Sequence, residues 1–378
     1  MTGAARSGSG RARARDLGLA PGSLPAGPAN AITDVSGVRV GHATVIEGDS
    51  IRTGVSAIVH DVLVGRGEHG RRTLPAGLAI FNGYGKMTGA TQIAELGTIE
   101  TPVLLTSTLS VFRVADAVLT YLHGLPACTG SGTLNPVVAE TNDSYLSDIW
   151  ARPITAGHVQ AALDGAAGGA VAEGCVGAGT GTSALGFKAG IGTSSRQVTL
   201  SSGLPATVGS LVQANFGGTL TVLGVPVPAP AAPAAADDVA AQAAGADGVS
   251  GGGGDSNSCV IVLATDAELD SRALERVAAR AFPAMARTGS DFSGNSGDYS
   301  LAFSTAAVPT TVGQTPGVPA KDLDLLFTAA LEATEEAILN SLFMAVTTTG
   351  YGGHVRHAVP LDEVRALVSG RSARPSGS

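Results

Sequence analysis

The sequence has few aromatic residues, few basic residues and few cysteines. Aromatic residues make up only 4% of the 378 positions, so the core must be built mainly from Ala, Val, Leu and Ile. The formal net charge is −8, and no basic stripe interleaved with aromatic residues is present, which argues against nucleic-acid binding. Cys128, Cys175 and Cys259 form an odd, widely spaced set that is more typical of reduced thiols in a cytosol than of a disulfide framework. We therefore expect no disulfides and a cytoplasmic location.

Motifs for metal binding and membrane insertion are also missing. The seven histidines include no HExxH, and His354 and His357 lie three apart with no carboxylate between them, so we expect no metal site. No uncharged apolar run approaches the roughly 18 to 20 residues that cross a bilayer. Residues 1–30 include Arg11, Arg13 and Arg15 but no continuous apolar segment, which predicts a disordered leader rather than a secretory signal.

The residues that are present predict a mixture of strands and helices. Short apolar runs bounded by glycine predict strands at 38–45, 54–62, 77–81, 136–142, 258–265 and 299–305, with further hairpins over 187–227. Apolar residues at helical spacing predict helices at 109–122, 158–167, 271–286 and 323–345. Because there are more strands than a simple βαβ alternation with helices would give, the pattern favours stacked sheets covered by helices.

A sharp change of composition precedes the strand at 258–265. Residues 226–256 hold four prolines, eleven alanines and the run GGGG, and such a segment buries too little side-chain area to order itself. By composition alone, it could be an interdomain linker or a flexible loop within one domain.

Seven sequence blocks decide between these interpretations. They are ITDVSGVRVGH near the start, FNGYGKMTG at 81–89, PVVAETND at 136–143, GAGTGTSALGFKAGIGTSSR at 177–196, LVQANFG at 211–217, NSCVIVLATDAEL at 257–269 and NSGDYSLAFST at 295–305. In their residues and order they resemble the DmpA-type family of L-aminopeptidase/D-esterases and β-peptidyl aminopeptidases, over about residues 31–349. The resemblance implies a self-cleaving enzyme in which Ser258 becomes the N-terminal nucleophile of a new subunit.

The resemblance also implies the fold and the assembly. The fold is α+β, an αββα layered sandwich like that of N-terminal-nucleophile hydrolases. One catalytic domain is shared by an α chain over 31–257, with 226–256 as its flexible loop, and a β chain over 258–367, followed by a disordered tail at 368–378. Family members form homotetramers of such pairs and use neither a metal nor an organic cofactor, and no membrane partner is expected.

Chemistry supports a nucleophile at the junction of Asn257 and Ser258. A serine hydroxyl can attack the carbonyl that precedes it, convert the peptide bond to an ester and release a new chain end on hydrolysis. The new α-amine, with an ordinary pKa of about 7.7 to 8.0, can then take the proton of its own hydroxyl. Together with this chemistry, the resemblance implies release of an N-terminal residue, a small L-, D- or β-amino acid, from a peptide, amide or ester through an acyl-enzyme on Ser258.

Four further residues match the family's catalytic positions. Asn215 matches the asparagine that stabilises the oxyanion, although alone it could be a strand-end residue. Tyr145 matches a tyrosine that assists at the same centre. Ser296 and Asp298 match a Ser-x-acid pair that contacts the nucleophile and orients its amine, although Asn-Ser-Gly-Asp alone also forms turns. Some β-peptidyl members have Glu at the acid position, so Asp298 leaves the subgroup open.

Two residues match the substrate pocket. Glu140 matches the carboxylate that receives the free amino group of the substrate, because an ammonium gains a charge-assisted hydrogen bond there. Alone, a glutamate at a strand end is usually solvated. Asn82 is a second candidate for the pocket, although an asparagine flanked by glycine more often serves a turn.

Four alternatives fit the sequence less well. An acyltransferase of the ornithine acetyltransferase type shares a related fold but uses a threonine nucleophile, and an uncleaved binding protein would need none of the matched residues. Cys259 is expected to face the opposite side of its strand from Ser258 and to be buried, so it is not the nucleophile. The alternating glycines at 177–181 lack the GK[ST] of a phosphate-binding loop.

Overall fold

The computed structural model of the protein describes residues 10–66, 70–230, 258–306 and 318–372. Two sheets dominate it. The first sheet has four strands in the order β1-β2-β5-β6: β1 (Val38–Glu47), β2 (Ile51–His60), β5 (Val103–Ser107) and β6 (Val137–Thr141). The second has six strands in the order β4-β3-β14-β13-β10-β9: β3 (Leu74–Gly83), β4 (Thr98–Ile99), β9 (Ile191–Thr199), β10 (Pro205–Asn215), β13 (Ser258–Thr265) and β14 (Gly297–Ser304).

Short hairpins and helices complete the described residues. The two-residue strands pair as β7 (Ser183–Ala184) with β8 (Phe187–Lys188), β11 (Thr221–Val222) with β12 (Val225–Pro226), and β15 (Thr348–Thr349) with β16 (Val355–Arg356). The helices are α1 (Ala90–Leu96), α2 (Val111–His123), α3 (Ala156–Asp164), α4 (Ser271–Ala278), α5 (Ala281–Thr288), α6 (Ala320–Phe343) and α7 (Leu361–Ser372).

Three apolar cores stack these elements into layers. One core lies between the sheets and contains side chains of both, such as Leu105 from the four-stranded sheet and Val262 from the six-stranded sheet. A second core joins α2 and α3 to the four-stranded sheet, and a third joins α4 and α6 to the six-stranded sheet. The order is helix, sheet, sheet, helix, so the predicted αββα sandwich is confirmed.

Strand β13 has the composition of a strand that is covered on both faces. All eight of its residues are buried, which explains the nearly continuous apolar run SCVIVLAT. It runs parallel to β14 and antiparallel to β10. Cys259 is fully buried, as the sequence predicts.

Close backbone contact fixes α6 on the six-stranded sheet. At Gly192 in β9, a Cβ atom would lie 1.9 Å from the Ala337 carbonyl oxygen and 2.5 Å from the Ser341 nitrogen. The position therefore has no room for a side chain.

The predicted helices at 109–122 and 323–345 correspond to α2 and α6, whereas the predicted helix at 271–286 is wrong as one helix, because the chain turns between α4 and α5.

Residues 10–30 are not a disordered leader, and the prediction is wrong there. The Arg13 guanidinium lies 2.7 Å from Glu173 Oε2 and donates to the Asn30 carbonyl at 2.7 Å, and Arg15 lies 2.8 Å from Glu336. The ion pair with Glu336 holds the segment against α6, and Arg13 also donates to the Thr193 carbonyl of β9 at 2.7 Å, although the segment has no regular structure. Ion pairing at long sequence separation leaves no local pattern that sequence reading can detect.

The structure corrects the predicted start of the C-terminal tail but does not describe most of the predicted loop. The predicted tail at 368–378 begins too early, because α7 continues to Ser372. Residues 1–9, most of the predicted loop at 226–256, and Asn257 lie outside the described residues. Within the described ranges, no helix has both the length and the apolar character needed to span a membrane.

Candidate active site

Four neighbouring strands bring the predicted residues to one edge of the six-stranded sheet. Asn215 ends β10 and is the register partner of Ser258, which begins β13. Ser258 in turn is paired with Gly297 at the start of β14, and Asp298 is paired with Asn82 near the end of β3. Residues that are distant in sequence therefore meet because their strands start or end at the same edge.

The Ser258 hydroxyl lies where the two sheets meet. Its Oγ accepts a hydrogen bond from the Asn142 backbone N–H at 3.3 Å, and the residue is only 3% exposed. Asn142 directly follows β6 of the four-stranded sheet. Sequence reasoning did not single out Asn142, although it lies in the ETND block.

The Asn215 amide is held in one orientation by two backbone groups. Its Oδ1 accepts from the Ser183 N–H at 3.1 Å, and its Nδ2 donates to the Asn142 carbonyl at 3.0 Å. The amide nitrogen therefore points toward the segment that also contacts Ser258 Oγ. This places two kinds of N–H donor, one from a side chain and one from the backbone, beside the candidate nucleophile.

Ser296, Asp298 and Asn82 form a hydrogen-bonded chain beside Ser258. The Ser296 hydroxyl donates to Asp298 Oδ1 at 2.7 Å, and the Asn82 amide donates to Asp298 Oδ2 at 2.9 Å. Burial raises the pKa of Asp298, while the bonds from Ser296 and Asn82 oppose that rise. Both oxygens of the carboxylate are thus fixed in place. Asn82 supports Asp298 here and is not itself placed against Ser258 by a described contact.

Glu140 lies in β6, two residues before Asn142, and is buried. Its Oε1 accepts from the Lys86 backbone N–H at 3.1 Å and lies 3.6 Å from Lys86 Nζ. Its Oε2 is buried without a hydrogen-bond partner among the described residues. Burial raises the pKa of Glu140, and the charge of Lys86, its N–H and the Thr108 hydroxyl oppose the rise. Sequence reasoning missed Lys86 and Thr108.

Tyr145 has no described contact with Ser258 and lies among other neighbours. Its ring stacks on the His354 ring with 4.5 Å between centroids. The Arg356 guanidinium carbon lies over the Tyr145 ring, 3.6 Å from the ring centroid. Its carbonyl is hydrogen-bonded to His354 Nδ1 at 2.8 Å. Tyr145 follows Asn142 by three residues, so it belongs to the same loop but is held by a different set of neighbours.

The two remaining site expectations concern the cleavage bond and metals. Asn257, the residue before the expected cleavage point, lies outside the described residues. Across the described ranges, no group of three or more His, Cys, Asp or Glu side chains is arranged to hold a metal ion. Burial and the charge of Asp298 raise the pKa of the Cys259 thiol, so that thiol is a poor nucleophile.

Comparison with known proteins identifies relatives over nearly the whole chain. The profile of peptidase family S58 matches residues 30–356. A β-peptidyl aminopeptidase, BapA, of Sphingosinicella xenopeptidilytica is 41% identical over 380 residues, which cover 96% of this chain and 92% of the relative. The resemblance predicted from the sequence blocks is therefore confirmed.

Solved structures agree with this result. A β-aminopeptidase from Burkholderia sp. superposes with a TM-score of 0.81 at 36% identity, covering 96% of this chain and all (100%) of that one. The L-aminopeptidase D-Ala-esterase/amidase of Ochrobactrum anthropi, a variant of the Ntn hydrolase fold, gives a TM-score of 0.80 at 35% identity, covering 95% and 99%. At these identities the likeness extends to the whole fold that positions the site.

Proposed function

Because the chain belongs to peptidase family S58, we propose that it is a self-cleaving serine aminopeptidase with Ser258 as its nucleophile. The observation that carries the proposal is the position of Ser258. It begins a central buried strand, and Asn142 and Asn215 lie beside it. Such a site serves acyl transfer, because donors surround the place where negative charge develops on the attacked oxygen.

Self-cleavage starts with the intact chain. Ser258 Oγ attacks the carbonyl carbon of Asn257 and the C–N bond breaks. The hydroxyl proton passes to the released nitrogen, which becomes the α-amine of Ser258 as an ester forms on Oγ. Water then hydrolyses the ester, which leaves a carboxylate on Asn257 and restores the hydroxyl. Two chains result, and the second begins with Ser258.

Turnover uses the new amine as the general base. The neutral α-amine of Ser258 takes the proton from its own Oγ, which attacks the substrate carbonyl, and the departing amine of the peptide receives a proton. The Asn215 amide and the Asn142 N–H stabilise the oxyanion. Ser296 and Asp298 orient the amine of Ser258 beside them. Water then cleaves the acyl-enzyme and releases the N-terminal residue.

Glu140 anchors the free amino group of the substrate. Its Oε2 is buried and has no described hydrogen-bond partner, so a substrate ammonium supplies the missing charge-assisted bond.

The names of the relatives support β-peptides and L-peptides as substrates, since one is a β-peptidyl aminopeptidase and another an L-aminopeptidase D-Ala-esterase/amidase. We propose N-terminal β-residues and small L-residues as substrates.

Intact-mass measurement and N-terminal sequencing test the proposal. Purified protein is expected to give two fragments, the second beginning Ser-Cys-Val, and to release p-nitroaniline from β-alanyl or L-alanyl p-nitroanilide. Ser258→Ala should remain one chain without activity, whereas the control Ser256→Ala should cleave as before. A single chain in the parent protein, or a fragment beginning elsewhere, contradicts the assignment of Ser258.

A tetramer of αβ pairs is the proposed assembly. Trp150 and Phe112 are 77% and 68% exposed, and Arg113 holds their segments together by donating to the Ile154 carbonyl at 3.2 Å. Large exposed aromatic side chains are typical of interfaces. Light scattering should give the mass of four pairs, and the double change of Phe112 and Trp150 to serine should lower it. The mass of a single pair for the parent protein would contradict the proposal.

A further inference from the structure

A loop crosses from one sheet to the other above the candidate site. At one end, the Tyr84 N–H donates to the Ser296 carbonyl at 3.1 Å, on the side of the six-stranded sheet. At the other end, the Thr88 N–H donates to the Val138 carbonyl at 3.0 Å, in the four-stranded sheet. Lys86 lies midway. Residues 84–88 therefore cover the space between the nucleophile's neighbours and Glu140.

Lys86 and Glu140 present opposite charges side by side in this space. Lys86 Nζ donates to Thr108 Oγ1 at 2.8 Å and lies 3.6 Å from Glu140 Oε1, which is an ion-pair distance but long for a hydrogen bond. An ammonium has three N–H donors, so Lys86 keeps capacity for another acceptor. The Lys86 side chain is 39% exposed and that of Glu140 only 4%, so the lysine lies nearer the surface than the glutamate.

This pair of charges matches a carbon atom that carries both an ammonium and a carboxylate. An ordinary N-terminal residue lacks that combination, because the carboxyl group beside its amine is the carbonyl under attack. An N-terminal aspartate linked through its side-chain carboxyl group has it. Its α-amine and α-carboxylate share one carbon, which is one methylene away from the scissile carbonyl. Such a residue is also a 3-aminopropanoyl group and therefore a β-amino acid.

We propose that the pocket accepts N-terminal β-aspartyl residues, with the ammonium on Glu140 Oε2 and the α-carboxylate on Lys86 Nζ. The inference rests on the proposed function and names a substrate class for the same site. Glu140 and Asn142 are two residues apart along the chain, about 7 Å in extended backbone. Asn142 contacts Ser258 Oγ, so a short acyl group spans from the nucleophile to Glu140.

The reaction is an ordinary acyl transfer on this substrate. The bond between the β-carbonyl carbon and the nitrogen of the next residue breaks as the ester to Ser258 Oγ forms, and the departing nitrogen receives the proton from the Ser258 amine. Water then hydrolyses the ester and releases free aspartate. No oxidant, reductant or second substrate is required.

Three substrates test the inference on the unmodified mature enzyme. They are the p-nitroanilides of β-alanine, of β-linked aspartate and of β-linked aspartate with its α-carboxylate converted to a carboxamide. The β-aspartyl compound should be cleaved with a kcat/KM about ten- to a hundredfold above that of the carboxamide, because only the charged group forms a charge-assisted bond with Lys86. The γ-glutamyl analogue, one methylene longer, should be a poor substrate.

The outcomes separate this inference from the proposed function. Cleavage of β-alanyl but not β-aspartyl p-nitroanilide overturns the β-aspartyl assignment and leaves the aminopeptidase intact. Equal cleavage of the β-aspartyl compound and its carboxamide overturns the role of Lys86. Failure to cleave any of these compounds or L-alanyl p-nitroanilide overturns both.

Variants of Lys86 give a second, independent measurement. Lys86→Met should lower the ratio of kcat/KM for β-aspartyl over β-alanyl substrate about tenfold or more, and Lys86→Arg should retain most of it. Lys321→Met, at an exposed position of α6, is the matched control and should leave the ratio unchanged. A ratio that Lys86→Met does not alter in the self-cleaved enzyme contradicts the inference, and Lys86→Arg decides the question where the methionine variant does not mature.

Discussion

Asn82 and Asp298 occupy paired positions on the antiparallel strands β3 and β14, and the Asn82 amide donates to Asp298 Oδ2 at 2.9 Å. Since Ser296 binds the other carboxylate oxygen, each oxygen of Asp298 has a fixed donor. The pairing of β3 with β14 therefore fixes the orientation of the Asp298 carboxylate. The sequence alone allowed Asn82 to be a turn residue. In the structure it orients Asp298, which lies beside the start of β13.

Replacing this acid should change the pH profile of the mature enzyme. A carboxylate near the Ser258 α-amine favours the charged ammonium and so raises the pKa of the amine. Asp298→Asn should therefore move the rising limb of kcat/KM toward lower pH and also reduce the maximum through lost orientation. The measurement is a pH profile with β-alanyl p-nitroanilide. Asp324→Asn, at an exposed helix position, is the control, and an unmoved limb in Asp298→Asn would show that the acid does not act on the amine.

Glu140→Gln should separate maturation from turnover. Self-cleavage acts on an internal peptide bond without a free amine, so the variant should still form two chains. Its kcat/KM for free-amine substrates should fall about ten- to a hundredfold, because a charge-assisted hydrogen bond contributes about 1.5 to 3 kcal/mol. N-acetylated substrates should be poor for the parent and lose little more on mutation. Equal losses on blocked and free substrates would remove the amine-anchor assignment.

Asp143 should make the fold less stable as pH rises. Burial raises its pKa from 3.8 to about 6, so the native state binds its proton more tightly than the unfolded state does. The stabilisation from this proton is fully present below pH 3.8 and is lost as pH rises through 6. Asp143→Asn removes the titration and keeps an oxygen for the bond that Ser107 Oγ donates at 2.7 Å.

Denaturant unfolding of uncleaved chains measures this effect. In a Ser258→Ala background, the advantage of Asp143→Asn over its parent should grow by about 2 kcal/mol between pH 4 and pH 7. Asp148→Asn is the control, because Asp148 lies in the same loop and is only partly buried. A constant difference across that range would mean that the pKa of Asp143 is not raised.

Gly192→Ala should destabilise the contact between β9 and α6. The added methyl group would lie 1.9 Å from the Ala337 carbonyl, so strand and helix must move apart. Overpacking of this kind costs about 1 to 3 kcal/mol. Unfolding of the variant in the Ser258→Ala background tests this, with Gly203→Ala as a comparison, since its Cβ meets nothing within 4 Å although its φ of +83° adds some strain. An undiminished stability for Gly192→Ala would contradict the tight contact.

The sequence predicts the elements of the fold better than their connections. The apolar run of β13 and the helical spacing of α2 and α6 are local signals, so these elements are predicted correctly. The arm at 10–30 is held by Arg13 and Arg15 through partners more than a hundred residues away, and composition contains no trace of such pairing. The break between α4 and α5 lies just before Pro283, whose ring would clash with the Ala279 carbonyl in one continuous helix, so the prediction of a single helix overlooked a local signal.

The candidate site shows the same division. Ser258, Asn215, Ser296 and Asp298 were identified through family blocks, and the strand registers bring them to one edge. Asn142 contacts Ser258 through its backbone N–H, whose position depends on where β6 ends, so no side-chain pattern could identify it. Lys86 lies in the block FNGYGKMTG, but its charge becomes relevant to the site only because it lies 3.6 Å from Glu140, and the sequence does not show that proximity.

The central position of β13 determines what happens to the protein after the bond before Ser258 is cut. Its eight residues lie between β10 and β14, so the new fragment remains bound in the sheet. Unfolding, however, would release two separate molecules, and refolding would become a second-order reaction that slows on dilution. Maturation thus turns a chain that can refold by itself into a complex whose recovery depends on concentration, and the uncleaved Ser258→Ala chain keeps the first-order behaviour.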